Sequence, residues 1–375
     1  MEYVRTDNIS EQIRMGKEIV REHPNIYSRE VMRNIRETIE KLNKGSEFSD
    51  EELCFISIYD YWIYGFTTEE VFYLNLLGKS EAEKQQFISH MDRINYMHHL
   101  NRAEDEHLLT NKFETYNLLR DYFGRKVIYI EKDSDESEFR DFFAEHEEFV
   151  IKPVGMATSI GIRKVNRSDF RNDPYVAFHS ILAEIRDVQS KYKWAKGSGV
   201  IVEEVIQQGE ELRKLHANSI NSVRLTTVRC GNDVTIFYPV LRIGMGGEFL
   251  CCGAVGSILT GINVETGVTE TEGRNEWNER YTVHPDTGIA LKGIVIPKWK
   301  ELCSLAKQLA LSFDTLRYIG WDFVYNAENR WIVMEGNENG EFLGQIAYQR
   351  GLLGEFQQLI NWKSDKEFWW IGKYR

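Results

Sequence analysis

The feature that most constrains this chain is a change of period near Arg125. Up to about residue 123 the apolar residues recur at helical spacing, and beyond it short β-branched and aromatic runs alternate with turns. The first stretch reads as a series of capped helices. Ser28 caps Arg29–Leu42, with Gly45 just past the end. Ser49 or Asp50 opens the next helix, whose face is Leu53, Ile56, Tyr59 and Ile63, and Thr67 or Thr68 opens EEVFYLNLLG. Ser80 starts a long polar helix to about His99, with Phe87, Met91, Ile94 and His98 on one face. Thr110 starts NKFETYNLLRDYF, which Gly124 ends. After it come KVIYI, EFVIKPV, GIRKV, GVIVEEVI, SVRLTTVRC and VTIFYPVLRIG, interrupted by helices at roughly 174–192 and 297–313. Blocks of strands with separate helices predict an α+β class, with antiparallel sheets backed by helices.

Composition narrows the function. Lys and Arg number 46 against 58 Asp and Glu, a net charge of −12. An acidic surface repels phosphate backbones, so nucleic acid is excluded as the main partner, while a local basic site for a small anion is not. The longest apolar run, Leu53–Phe66, is broken by Asp60 and is too short for a bilayer. The first residues have no apolar core of a secretory signal. Five cysteines, an odd number with no CxxC pair, read as free thiols in a reducing cytoplasm. Membrane insertion is not expected, and the expected localisation is cytoplasmic.

The strongest chemical signal is YIGWDFVYNAENRWIVMEGNENGEF, residues 318–342. Asn326 to Asn329 is a turn between two apolar runs. A hairpin closed symmetrically about it sets Asp322 opposite Val333, with Val333, Glu335 and Asn337 sharing the face of Asp322 and Glu335 its diagonal neighbour. Carboxylates on such apolar strands need partners. Two carboxylates and a neutral oxygen suit a hard cation such as Mg²⁺, so Asp322, Glu335 and Asn337 are the candidate metal ligands.

Three weaker signals accompany it. Lys152 sits on the apolar strand 149–153, and a loop with Gly155, Ser159 and Gly161 follows. A strand lysine beside small loop residues suits a polyphosphate, though the segment is not a P-loop because no GK[ST] follows its glycines. An edge-strand lysine on an ordinary hairpin has the same pattern. The run GVIVEEVI ends in Glu203, Glu204, Val205 and Ile206, followed by Glu210 and Glu211. Such a strand can hold a purine on its backbone and a ribose on a carboxylate. Arg224 and Arg242 each place one charge on an apolar strand, where an anion or an ion pair must meet it.

In this order the segments FVIKPVGMATSIGI, VIVEEVI, NSINSVRLTTV, VLRIGMGG, INVETGV, HPDTG, IP-W, IGWDF and MEGNENG resemble the ATP-grasp superfamily, and within it the sugar-transfer-associated branch. The likeness covers about residues 110–350. It implies two α+β subdomains that grip ATP, here at 111–205 and 206–375, behind a helical N-terminal region at 1–110. It implies that Lys112 and Lys152 bind the nucleotide, that the 155–161 loop covers the phosphates, and that Glu203, Glu204, Val205 and Ile206 form the hinge strand against adenine. Glu210 or Glu211 takes the ribose. Asp322, Glu335 and Asn337 hold one or two Mg²⁺ ions, with Mn²⁺ able to take their place. Arg224, Arg242 and Lys152 stabilise the transferring phosphoryl group. One departure stands out: where the branch usually has Asp-Asn before a glycine-rich segment, this chain has Cys251-Cys252, in a stretch expected to touch the acceptor.

The reaction so implied is an ATP-dependent ligation. A carboxylate attacks the γ-phosphate, an acyl phosphate forms, and an amine, less often a hydroxyl, displaces phosphate to give an amide or ester. The partners are a small carboxylate and an amine- or sugar-bearing acceptor, in polysaccharide or secondary-metabolite synthesis. The alternatives are a small-molecule kinase and a non-catalytic ATP-binding protein. His284, in the turn HPDTG, is the only histidine with a reading as general base.

Overall fold

The computed structural model describes residues 3–156, 159–192, 196–247 and 249–363. The helical region comprises α1 (Ile9–Glu22), α2 (Arg29–Leu42), α3 (Asp50–Tyr64), α4 (Thr68–Tyr73), α5 (Glu81–Lys84), α6 (His90–Leu100), α7 (His107–Thr110) and α8 (Lys112–Phe123). The caps follow local chemistry. Ser28 accepts from the Val31 amide, and Ser49 and Thr67 each form a reciprocal capping box with the glutamate three residues on. Leu53, Ile56, Tyr59 and Ile63 are all buried, as the helical face requires.

Two sequence expectations are corrected here. Ser80 caps only the short α5, and the chain restarts at Ser89, which caps α6 with Asp92. Tertiary bonds break the long helix. The Lys84 ammonium turns inward to Asp60, at 2.8 and 2.9 Å from its two oxygens. The Ile88 amide and carbonyl pair with the side chain of Gln345, so they are withdrawn from any helical ladder. Second, the cap of α8 is Asn111, whose Oδ1 accepts from the Phe113 and Glu114 amides, while Thr110 ends α7.

The remaining elements are β1 (Val127–Ile130), α9 (Glu136–Glu145), β2 (Glu148–Gly155), β3 (Arg163–Asn166), α10 (Pro174–Ser190), β4 (Lys196–Glu204), α11 (Glu210–Arg213), β5 (Ser222–Cys230), β6 (Asp233–Ile243), β7 (Ile258–Gly261), β8 (Gly273–Arg274), β9 (Arg280–Tyr281), α12 (Trp299–Leu311), β10 (Tyr318–Tyr325), β11 (Trp331–Asn337), α13 (Leu343–Tyr348) and α14 (Leu353–Ile360). A four-stranded sheet runs β1-β4-β2-β3 and a seven-stranded sheet runs β11-β10-β5-β6-β7-β8-β9. Every pairing is antiparallel.

The small sheet is closed by α9 and α10 over an aromatic core of Phe139, Phe142, Phe143, Phe149 and Phe178. Each fully buried ring is worth about 1.5–3 kcal/mol relative to exposure, which anchors the sheet that carries Lys152. α9 follows β1 in a charged stretch and is absent from the sequence reading. On the large sheet, Val223, Leu225, Trp321 and Phe323 pack with Leu302 and Leu309 of α12 and with Tyr116 and Phe123 of α8. The other face meets the N-terminal helices, since Val240, Leu259, Leu343 and Ile346 share a core with Ile58, Tyr59 and Phe72. No helix among the described residues is long and apolar enough to cross a membrane.

Candidate active site

The site begins with the β10–β11 hairpin, whose register differs from the symmetric one. The Asn326 amide donates to the Arg330 carbonyl, and Asn329 adopts φ 59°. The loop is therefore three residues ending in a left-handed position, a common hairpin form. Tyr325 pairs with Trp331 and Phe323 with Val333, one step away from symmetric closure. A bulge between Asp322 and Phe323 then adds a residue on β11, so Asp322 lies directly opposite Glu335 rather than Val333. The two shifts restore the parity, and Asp322, Glu335 and Asn337 still share a face.

Asp322 is 0% exposed. Its two oxygens accept from Nε and Nη2 of Arg224, both at 2.7 Å, in the bidentate geometry a guanidinium favours. Arg242 on β6 adds an ion pair at 3.6 Å. Burial would raise the Asp322 carboxyl, but the two guanidiniums outweigh it and hold it well below the usual carboxylate range. The resemblance assigned the arginines to phosphate and the aspartate to metal, while the residues alone left an anion or an ion pair open; in the protein the arginines and Asp322 form ion pairs with each other. Asn337 Nδ2 donates to the Gly320 carbonyl at 3.2 Å and approaches Glu335 Oε1 at 3.4 Å.

The opposing wall comes from the small sheet. Lys152 pairs with Ile201, so Glu203 is its diagonal neighbour on the same face. The Lys152 ammonium forms an ion pair with Glu203 Oε1, and Arg125 Nε meets Glu203 Oε2 at 2.9 Å. Burial would raise Glu203, but Arg125 and Lys152 prevail and lower it. Arg125 also donates to the carbonyls of Phe123, Val333 and Met334. It thereby ties Glu203 to the stretch of β11 next to Glu335. Sequence reasoning missed Arg125; its signal was a lone arginine between the Gly124 stop and an apolar strand.

Lys112, first residue of α8, is the common neighbour of both walls. Its Nζ donates to the Met156 carbonyl at 2.5 Å. Burial lowers its pKa, while the carboxylates of Glu335, Glu338 and Glu203 act against that and Lys152 adds to it. Glu335, Lys152 and Glu203 are thus all within electrostatic reach of the Lys112 amine.

The other candidates are placed as follows. Glu204 projects to the opposite side, where it accepts from the Lys126 amide at 2.6 Å and from His146 at 2.8 Å, so its side chain does not line the cleft. Val205 and Ile206 follow the end of β4 and are half-buried. The Glu210 carboxylate is exposed and paired with Arg213, whereas Glu211 curls back over Gly209 beside Tyr325. Ser159 has φ 59° and Gly161 φ 76°, and a Cβ on Gly161 would meet Pro153 at 2.8 Å. Residues 157 and 158 of that loop lie outside the described residues. His284 is corrected as a base: it is fully buried, with Nε2 on the Gly244 carbonyl at 2.7 Å and Nδ1 accepting from the Asp286 amide. Both ring nitrogens are occupied in holding a turn.

Among the described residues no set of three or more His, Cys, Asp or Glu side chains is arranged to hold a metal. Asp322, Glu335 and Asn337 offer two carboxylates and an amide instead. That all-oxygen set, with Glu335 half-buried opposite Asp322, fits a hard cation that draws its other ligands from phosphate and water.

The four-stranded sheet carries Lys152 and Glu203, the seven-stranded sheet carries Asp322, Glu335 and Asn337, and Lys112 of α8 is within electrostatic reach of both sets. The model of the sugar-transfer associated ATP-grasp family matches residues 91–361. The chain belongs to that family, and its fold is the α+β ATP-grasp fold behind a helical N-terminal region. No curated protein matches the chain. Among solved structures, it is similar to the ATP-grasp ligase PsnB in complex with a phosphomimetic variant of minimal precursor, Mg and ADP, at 14% identity and a TM-score of 0.41, covering 72% of this chain and 65% of that one. It is also similar to D-alanyl-alanine synthetase A from Vibrio cholerae O1 biovar eltor, at 14% identity and 0.37, covering 64% of each chain. A third is D-alanine-D-alanine ligase from Helicobacter pylori, at 15% identity and 0.40, covering 71% of this chain and 62% of that one. The chain spans less than two thirds of the length of each.

Proposed function

We propose that the chain is an ATP-dependent ligase that joins a small carboxylate to an amine-bearing acceptor through an acyl phosphate. The observation that carries this reading is the position of Lys112, whose amine lies within electrostatic reach of Lys152 and Glu203 of the small sheet and of Glu335 of the large one. A triphosphate in that cleft meets two ammonium groups and a carboxylate pair at once. Lys112 and Lys152 bind the phosphates. Val205 and Ile206 offer backbone groups that have no backbone partner among the described residues to the base. Glu211 takes the ribose, because Glu210 is engaged with Arg213. Gly155, Ser159 and Gly161 flank the phosphate side. Glu203 stays a positioning residue for Lys152, and Glu204 supports β1 from the far face.

Asp322, Glu335 and Asn337 would hold Mg²⁺, or Mn²⁺ in its place, which neutralises charge on the phosphate oxygens when bound. Arg242 is the arginine with capacity to spare, since its pairing with Asp322 is long at 3.6 Å while Arg224 is bidentate. The carboxylate oxygen attacks the γ-phosphorus and ADP leaves. Arg242, Arg224 and Lys152 share the charge of the transferring group. The acceptor amine then attacks the acyl carbon and phosphate departs. We read the division of the chain as 1–110, 111–205 and 206–375. We place the protein in the cytoplasm, in sugar-polymer or secondary-metabolite synthesis, where its five free thiols stay reduced.

The test is ADP and phosphate release over a panel of amino acids paired with amino- or uronyl-sugar nucleotides. Release that requires both an acid and an amine supports the ligase. Release of ADP without phosphate, with a phosphorylated acceptor recovered, would replace it by a kinase.

A further inference from the structure

A cavity of about 260 Å³ lies between the N-terminal helices and the large sheet, away from the two lysines. Its acids come from three separate places: Glu69 and Glu70 of α4, Glu276 after β8, and Glu341 before α13. The cavity adjoins the arginine end of the cleft. Glu276 is within electrostatic reach of Arg242, Arg224 and Lys41, and Glu341 acts on Arg224. Burial, with Glu341 beside it, pushes the Glu276 carboxyl up to about 7.

Three details point to a cationic occupant. First, neither the Glu276 carboxylate nor the Tyr73 hydroxyl has a hydrogen-bond partner among the described residues, and both line the cavity. Second, the basic groups of the wall are already committed. Arg93 donates to the Asn339 carbonyl and meets His90 Nδ1 at 3.0 Å, and burial lowers His90 to about 4, so that ring is neutral. Third, the Glu276 carboxyl is seated against Gly253, where a Cβ would come within 1.9 Å of it. Gly253 follows Cys251-Cys252, the stretch in which this chain departs from its branch. The volume decides the size of the guest. Pockets for drug-sized ligands run to about 300–1,000 Å³, so this one, open to solvent at the exposed Glu69 and Glu341, admits a molecule the size of an amino acid or a single sugar and not a nucleotide sugar.

We propose that this cavity binds the amine substrate, a small primary amine whose ammonium group is held by the half-buried Glu276 carboxylate beside the Tyr73 hydroxyl, with the exposed Glu341 at the mouth. The proposal rests on the ligase reading above and gives that reaction its second substrate site. Arg242 and Arg224 sit between this site and the carboxylates of β10 and β11, where an acyl phosphate would form.

The test is titration calorimetry on the full chain loaded with ADP. The probes are the twenty protein amino acids, glucosamine and galactosamine, each against its N-acetyl form. We expect a free amine to bind at least tenfold more tightly than its N-acetyl form, and the amino-acid and amino-sugar arms to tell which source is used. Glu276→Gln should weaken that binding at least tenfold, with the Kd for ADP within twofold of the parent, and Tyr73→Phe should weaken it less. Equal affinity for the N-acetyl forms, an unchanged amine affinity in Glu276→Gln, or no binding by any amine would overturn the proposal. Failure of the ligase reading appears separately, in the release assay above, as ADP freed without phosphate and a phosphorylated acceptor recovered.

Discussion

Removing the cation from the buried pair in the N-terminal region gives the sharpest test of the physical reasoning. Asp60 and Lys84 are 0% and 2% exposed, with both carboxylate oxygens within 2.9 Å of the ammonium. Lys84→Met leaves a carboxylate in the core with no partner, which costs about 3–5 kcal/mol. Unfolding entropy of about 2.1 cal/mol/K per residue, over 375 residues, gives about 0.8 kcal/mol/K for the whole chain. Lys84→Met should therefore lower Tm by about 4–6 °C if the chain melts as one unit. The double variant Asp60→Leu/Lys84→Met should recover most of that, because two apolar residues need no pairing. Acid is the second arm. Burial already raises the Asp60 carboxyl above its ordinary value, and Lys84 is what opposes it. Without Lys84 the folded carboxyl rises further while the unfolded one does not. The deficit of Lys84→Met should thus grow as pH rises above the ordinary aspartate range and shrink toward pH 4. Scanning calorimetry of the three proteins at pH 4 and pH 7.5 decides it. A loss below about 1 kcal/mol at pH 7.5, or a double variant no better than the single one, would refute the argument.

The other predictions concern the cleft and one buried acid. Glu335→Gln should keep the fold by circular dichroism and reduce Mg²⁺-dependent ADP release by at least about 100-fold; near-normal release would remove Glu335 from the metal set. Lys152→Ala leaves Glu203 paired with Arg125, so the fold should survive while ATP affinity falls roughly 10–100-fold, the worth of a charge-assisted hydrogen bond; an unchanged affinity in titration calorimetry counts against its role. Glu70 is raised to about 8, chiefly by burial, with Oε2 accepting from the Thr67 and His90 amides. The fold favours its protonated form, so this contribution to stability is full below the ordinary glutamate value and is lost as pH rises from there to about 8. Glu70→Gln keeps the acceptor and removes that loss, so its Tm relative to the parent should climb between pH 5 and pH 8.5; a flat difference would show that Glu70 does not titrate there.

Much of this architecture is written in local order. Helix starts at Ser28, Ser49 and Thr67 depend on a side chain and an amide three residues away, and they lie where local chemistry puts them. The antiparallel strands follow from alternating apolar runs and their turns, and the shared face of Asp322, Glu335 and Asn337 follows from the period of two. The register of that hairpin does not. It needed the left-handed Asn329 and a bulge beside Asp322, each worth one residue and each compatible with the same letters.

What the order of residues determines alone is the α+β class, the acidic surface and the set of charged side chains on apolar strands, because these depend on period and composition. What only the tertiary structure decides is which charges meet. The side chain of Lys84, at the end of α5, turns in to Asp60, Arg125 reaches across to β11, Glu204 turns away from Lys152, and Glu276 enters a cavity walled by helices some 200 residues earlier in the chain. A buried charge takes the partner that the packing of distant elements brings within hydrogen-bond reach, and no local pattern encodes that distance.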